Sequence, residues 1–226
     1  PEERDSDFTW DEFVAKVNNV LNANLGNFVH RVLTIGGRLP VEPGGSPFTI
    51  HDAHPSTQAL KKEVEEAYQE ITSHLQSHRY RDALRSIMAV SQFGNQTFHA
   101  AAPWKHLKEL QEGHEESLAH LAFCWRIARF LAITMQPFMP SSAQQLWANL
   151  GNKDRVADRP WHDAIDWSAP LTWRDEPPTP LFERLDLDEI LATEKNLVDD
   201  TPKDDGVHGV KGGKKKKGAN TMKEDT

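Results

Sequence analysis

The chain has 226 residues, 38% of them hydrophobic, with seven Trp and ten Phe, enough for one sizeable domain or two small ones, and a compositional shift near residue 190 points to a single ordered body plus a tail. A mean hydropathy of −0.64 and the lack of any long apolar run exclude a membrane span. A net charge of −8 argues against a general nucleic-acid binder and requires any RNA contact to use a local patch.

The first residues, Pro1, Glu2, Glu3, Arg4 and Asp5, form neither a basic leader nor an apolar signal segment, and the start looks like a domain boundary. Thr9 and Glu12 have the spacing of a capping box and predict a helix start. Phe13, Val17, Val20, Leu21, Leu25, Phe28, Val32 and Leu33 follow at helical period and predict one buried face as far as Gly36 and Gly37. Residues 38–55 carry Pro40, Pro43, Pro47 and Pro55 and predict a loop.

A second helix is predicted over 56–76, with Leu60, Val64, Ala67, Tyr68, Ile71 and Leu75 inward and Lys61, Lys62, Glu65 and Glu66 outward. A third is predicted over 79–101, carrying Tyr80, Ala83, Leu84, Ile87, Met88, Val90 and Phe93; it stops before Pro103, with Gly94 marking close helix packing. The fourth and most apolar helix, over 114–136, is predicted to be central. Pro137 and Pro140 interrupt it, and Ser141 with Gln144 repeats the capping-box pattern for a short helix ending at Gly151.

Residues 152–182 mix Trp161, Trp167 and Trp173 with prolines, which predicts an extended segment packed on the bundle and allows a hairpin near 170–185. Beyond Glu194 the aromatic residues vanish, and the run Lys211, Gly212, Gly213, Lys214, Lys215, Lys216, Lys217 predicts disorder. The expected layout is an all-α bundle of about five helices over 1–150, an extended segment over 151–190 and a disordered Lys-rich tail or linker over 191–226.

Chemistry of its own is sparse. Cys124 is the single cysteine, which excludes a disulfide framework and points to a buried packing thiol in a reducing compartment. His74 and His78 stand at a metal-compatible spacing, but no third ligand accompanies them and no metal site is expected. No Ser or carboxylate pair forms a catalytic constellation.

The blocks Asn18, Asn19, Asn24, Leu25, Gly26, Asn27, Phe28, then Asn95 with Ala102, Pro103, Trp104, Lys105, then Arg129, Phe130, Leu131 with Met135, Gln136, Pro137, Phe138, Met139, Pro140 resemble methionyl-tRNA synthetases of the archaeal and eukaryotic branch. Pro180, Leu181, Phe182, Glu183, Arg184 and Leu185 resemble that family's C-terminal segment, which folds back toward the catalytic domain. The resemblance implies the helical anticodon-binding domain of a class I synthetase, cytoplasmic, with the tRNA(Met) anticodon stem-loop and the enzyme's own catalytic domain as partners. The family's ATP-binding signatures and zinc knuckle have no counterpart in this chain. ATP and Mg²⁺, and zinc where that knuckle exists, therefore belong to the catalytic domain, and this chain alone is expected neither to hold a cofactor nor to activate methionine. The parent protein would be a methionine–tRNA ligase.

Residue by residue, the resemblance gives Trp104 as a plane that stacks an anticodon base and Asn19 as an amide that contacts one. Read from the residues alone, Trp104 could equally pack in the core and Asn19 could be plain surface. Some relatives place an Arg four residues after that Asn, where this chain has Ala23, so readout must rest on other groups. Asn22, Asn27 and His30 lie near the same face; Asn95, Gln96 and His99 precede Trp104, and Asn95 could instead bond between helices. Arg31, Lys105 and Lys108 are candidates for backbone phosphates, with a solvated basic loop as the alternative for the two lysines. A competing class of reading is a helical protein-interaction scaffold with a basic tail.

Overall fold

The computed structural model describes residues 7–39, 54–106, 108, 114–174 and 176–199. The loop prolines 40–47, His51 and the Lys-rich run 211–217 lie outside those residues. The described chain is all-α, with no strand among the described residues.

The first helical rod covers residues 10–36 and has three sections: α1 (Trp10–Lys16), a π-helical stretch (Val17–Gly26) and α2 (Asn27–Gly36). Thr9 caps it by accepting the Glu12 N–H at 3.3 Å, while the Glu12 carboxylate pairs with Lys16 rather than closing the capping box. The π section ends with the Asn27 N–H donating to the carbonyl of Asn22, five residues back. Four Asn in these ten residues lower helix propensity and offer side-chain competitors to the backbone ladder. This widening breaks the 3.6-residue phase on which an apolar face is read. Leu25, Phe28, Val32 and Leu33 are buried as predicted, but Val20 and Phe13 are exposed. Phe13 instead joins Phe8 and Trp10 in an aromatic trio at the rod's start.

Helix α3 (Pro55–Gln76) begins on Pro55 at its first position, where the absent N–H is not needed, with His54 Nδ1 accepting the Ser56 N–H at 3.3 Å. One outward assignment is corrected: Lys61 is buried, with Nζ 5.5 Å from the Trp167 ring centre, because its stem lies along that indole. The helix ends with His78 at φ 58, its N–H bonded to Leu75 O and that of Arg79 to His74 O. This is a Schellman end with His where Gly is usual. His78 has thereby left the helix, and the predicted His74–His78 face does not form; His74 lies 3.4 Å from Glu70. Replacing His78 by Gly relieves the left-handed backbone and is expected to stabilise the fold by about 0.5–1 kcal/mol, read as a higher denaturant midpoint at unchanged slope.

Helix α4 (Tyr80–Ala101) packs on α3 and on α5 (Glu115–Thr134). Tyr80, expected inward, is 47% exposed because it sits in the first turn against His78 rather than over the core. Gly94 marks the close packing: a Cβ there would lie 2.6 Å from Phe28 Cζ. In α5 every residue from Leu121 to Thr134 is buried, so it is the central helix and touches α2, α3, α4 and α6. Arg129 is buried with it; its guanidinium donates to Asp163 O and stacks 5.6 Å from the Trp147 ring centre.

Helix α6 (Pro140–Asn149) starts on Pro140, and the cap expected from Ser141 is not made. Gln144 instead accepts the Val156 N–H at 2.9 Å and donates to Asp154 O. The chain then runs back over the bundle through short 3₁₀ turns at Val156–Asp158 and Trp161–Ile165. Three indoles fasten it: Trp161 Nε1 donates to Thr72 Oγ1, Trp167 Nε1 to Glu65 and Trp173 Nε1 to Gly36 O. No hairpin forms among the described residues of 170–185. Polar backbone groups there bond to side chains of the helices: Asn149 holds the N–H and carbonyl of Thr179, and Gln145 donates to Pro180 O.

A second compact unit begins at Glu189. Helix α7 (Leu187–Asp199) leads into it and was not predicted; Asp186 Oδ1 accepts the Asp188 N–H at 2.9 Å at its start. Residues 191–199 therefore belong to a helix rather than to a tail without structure.

Candidate nucleic-acid interface

The widened rod makes the site. Asn19, Ala23 and Asn27 recur every four residues and form a ridge whose residues line two grooves at once. The first groove, about 560 Å³, lies between this ridge and the C-terminal strap, which contributes Pro180, Leu181, Phe182 and Arg184. Asn22 and His30 also line it. The second, about 660 Å³, lies between the ridge and α4, with Arg85, Met88, Asn95 and His99 on the far wall. No Asp or Glu is among the described residues lining either groove, which is how a chain of net charge −8 presents a face without carboxylates.

Two clamps hold the grooves open. Asn95 Nδ2 donates to Asn24 O at 3.0 Å and to Asn24 Oδ1 at 2.7 Å, so Asn95 ties α4 to the π section and supplies a donor outside the helix ladder. On the other side Asn18 mimics a neighbouring strand: its Nδ2 donates to Leu185 O and its Oδ1 accepts the Leu185 N–H, both at 2.9 Å. A Cβ on Gly26 would lie 3.4 Å from Phe182 Cδ2, which shows how closely the strap approaches the rod.

Trp104 stands against His99 of the second groove and shares a cavity with His30 of the first. Ala102 takes φ 41, ending α4, and Pro103 opens a 3₁₀ turn (Pro103–Lys105) that turns the indole back onto the bundle. The ring is half-buried, 5.5 Å from Phe98 and edge-on to His99 at 5.4 Å. Arg31 lies over it with its guanidinium carbon 4.7 Å from the ring centre, and Arg31 Nη1 donates to His99 Nε2 at 2.9 Å. That bond requires a neutral His99 protonated on Nδ1. A cavity of about 280 Å³ lined by His30, Arg31, Phe98 and Trp104 continues from this cluster.

The structure thus brings together Asn19, Asn22, Asn27, His30, Asn95, His99, Arg31 and Trp104. Gln96 faces a different groove, with Leu60, His106, Glu116 and His120, because one residue along α4 turns the side chain away from Asn95. Lys105 and Lys108 are exposed. Arg31, expected to meet phosphate, is engaged with the Trp104 ring. The sequence reading missed the clamp roles of Asn18 and Asn24 and the groove positions of Phe182 and Arg184. The available signals were the Asn18–Asn19 pair and the aromatic and basic residues of the strap. Among the described residues there is no group of three His, Cys, Asp or Glu placed to hold a metal, and burial pushes the Cys124 thiol far above its ordinary range.

Residues 1–33 match the family model of class I tRNA synthetases (M). Residues 49–191 match the model of the anticodon binding domain of methionyl tRNA ligase, and the chain belongs to this family through that domain. A methionine–tRNA ligase of Methanopyrus kandleri is 34% identical over 91% of this chain and 29% of its own length. One of Thermofilum pendens is 33% identical over 87% of this chain and 33% of its own length. The chain thus spans about a third of the relatives it matches. The apo crystal structure of Mycobacterium tuberculosis methionyl-tRNA synthetase shares the fold with a TM-score of 0.63 at 24% identity, covering 81% of this chain and 36% of that one.

Proposed function

We propose that this face binds the anticodon stem-loop of tRNA(Met) and reads its CAU anticodon, as the tRNA-selecting part of a methionine–tRNA ligase. The observation that supports the reading is a half-buried indole, Trp104, packed on His99 of one amide-lined groove and sharing a cavity with His30 of the other, with no carboxylate among the described residues lining either groove. Loop bases are recognised by splaying them out, stacking them on aromatic planes and bonding their Watson–Crick edges. Trp104 supplies the plane, and Asn19 and Asn27 supply amides that both donate and accept. Lys105 and Lys108, exposed just beyond the indole, would meet phosphates that position the loop without reading it.

In the whole protein the catalytic domain would form methionyl-adenylate from methionine and ATP and transfer methionine to the tRNA, in the cytoplasm. No helix among the described residues is long and apolar enough to cross a membrane.

The test compares binding of the chain to a CAU stem-loop and to one with a changed first anticodon base at fixed salt. Equal affinities would remove anticodon reading. Trp104→Ala is expected to weaken the CAU complex by about 1–3 kcal/mol, the contribution of one stacked base. Unchanged affinity in a folded variant would take Trp104 out of the site.

A further inference from the structure

We propose that Arg184, carried on the C-terminal strap, reads the first anticodon base as cytosine through a two-point hydrogen bond to its Watson–Crick edge. This rests on the anticodon reading above and names the group that gives it specificity. Ala23 contributes only a methyl to the ridge between Asn19 and Asn27, so the first groove is open at its middle. Arg184 lines that groove from the opposite wall and is exposed. Arg85, which lines the second groove, is held by Asp82 at 2.7 Å, and Arg31 is held against Trp104 and His99. Among the described residues no hydrogen bond or ion pair occupies the Arg184 guanidinium.

The strap beneath it is fixed at both ends. Asn18 grips both backbone groups of Leu185, the next residue, and Asn149 grips those of Thr179. Phe182 lies against Gly26 between those points. A guanidinium presented from an anchored backbone loses little freedom on binding. With no carboxylate among the described residues lining the groove, its planar fork is available to a ligand offering two adjacent acceptors. Cytosine offers N3 and O2 in that arrangement. Uracil places an N3–H donor there and opposes the fork. The neighbouring amides of Asn19 and Asn22 can accept from the exocyclic amine of cytosine.

The test uses the full chain, stem-loops carrying CAU and UAU, and the variants Arg184→Lys and Arg184→Ala, with affinities taken across a salt series and folding checked by circular dichroism. The unaltered chain is expected to prefer CAU by roughly tenfold or more, as a good bidentate contact gives. Both variants are expected to bring the two affinities close together, with the salt dependence for Arg184→Lys unchanged, since Lys keeps the charge and lacks the fork. A preference retained in Arg184→Lys overturns the two-point contact. Equal weakening of both loops by Arg184→Ala, with a shallower salt dependence, makes Arg184 a phosphate contact and overturns base reading. If the unaltered chain binds neither loop or binds both alike, the anticodon function itself falls, and this inference with it.

Discussion

Gly151→Ala is expected to lower the unfolding free energy by about 3 kcal/mol, combining a left-handed backbone cost of about 1–2 kcal/mol with an overpacking cost of similar size. Helix α6 closes with a Schellman end in which the Gly151 N–H donates to Ala148 O at 2.9 Å and the Asn152 N–H to Trp147 O at 3.2 Å, with Gly151 at φ 90. An added Cβ would stand 2.6 Å from Trp173 O and 2.7 Å from its carbonyl carbon. That backbone has little room to retreat, because Thr172 Oγ1 donates to Leu150 O and Trp173 Nε1 to Gly36 O. Gly37→Ala is the control: Gly37 has an ordinary helical φ of −65 and its added Cβ would meet Leu33 O at 3.2 Å. Denaturant midpoints should separate the two variants clearly at matching slopes; equal midpoints would sink the argument.

The helices that place the core were legible because their apolar residues keep one period. Helices α3 to α6 begin and end within about two residues of where periodicity, Pro55, Pro103 and Pro140 put them. The first rod was legible only as a helix. Its π section obeys a different period, so the exposure of Val20 and the double-sided ridge of Asn19, Ala23 and Asn27 could not come from a 3.6-residue wheel. The site was half legible for a related reason. Trp104 and Asn19 could be named by motif, but Asn18 bonds to Leu185, 167 residues away, and a pairing of that range leaves no periodic trace. Arg184 was therefore readable only as a basic residue on a segment of no regular structure. Helix α7 was hidden by composition, since the charged and small residues that follow Ile190 read as tail.

The same features explain how an acidic chain keeps a face without lining carboxylates among the described residues. Beside the second groove Asp82 binds Arg79 and Arg85, which holds the carboxyl below its usual range against the burial that opposes it. Asp154 is held low by its hydrogen bond with Arg159 and by the Trp147 N–H, well away from the ridge. The buried cation Arg129 donates to Asp163 O and so fastens the 3₁₀ turn Trp161–Ile165 to the bundle. The electrostatic layout of the grooves is thus one of amides and a few guanidiniums without lining carboxylates among the described residues, rather than a broad basic patch of the kind that general nucleic-acid binding requires.

Phe28→Ala is expected to cost about 3–5 kcal/mol of stability and to weaken stem-loop binding as well, because the same ring spaces both the core and the site. Phe28 is fully buried, and the tip of its ring presses on Gly94, where an added Cβ would meet Cζ, Cε1 and Cε2 at 2.6, 2.9 and 3.0 Å. Gly94 adjoins Asn95 in α4, and Phe28 lies one turn beyond Asn24 in the rod. The ring against Gly94 therefore sets the spacing at which the Asn24–Asn95 clamp closes. Gly94→Ala alone should cost about 1–3 kcal/mol by overpacking, but in the Phe28→Ala background the extra methyl enters the cavity and its cost should largely vanish. A double-mutant cycle by chemical denaturation measures that coupling. Strictly additive losses would mean that the ring and the glycine do not share the contact, and binding retained in Phe28→Ala would uncouple the core spacing from the grooves.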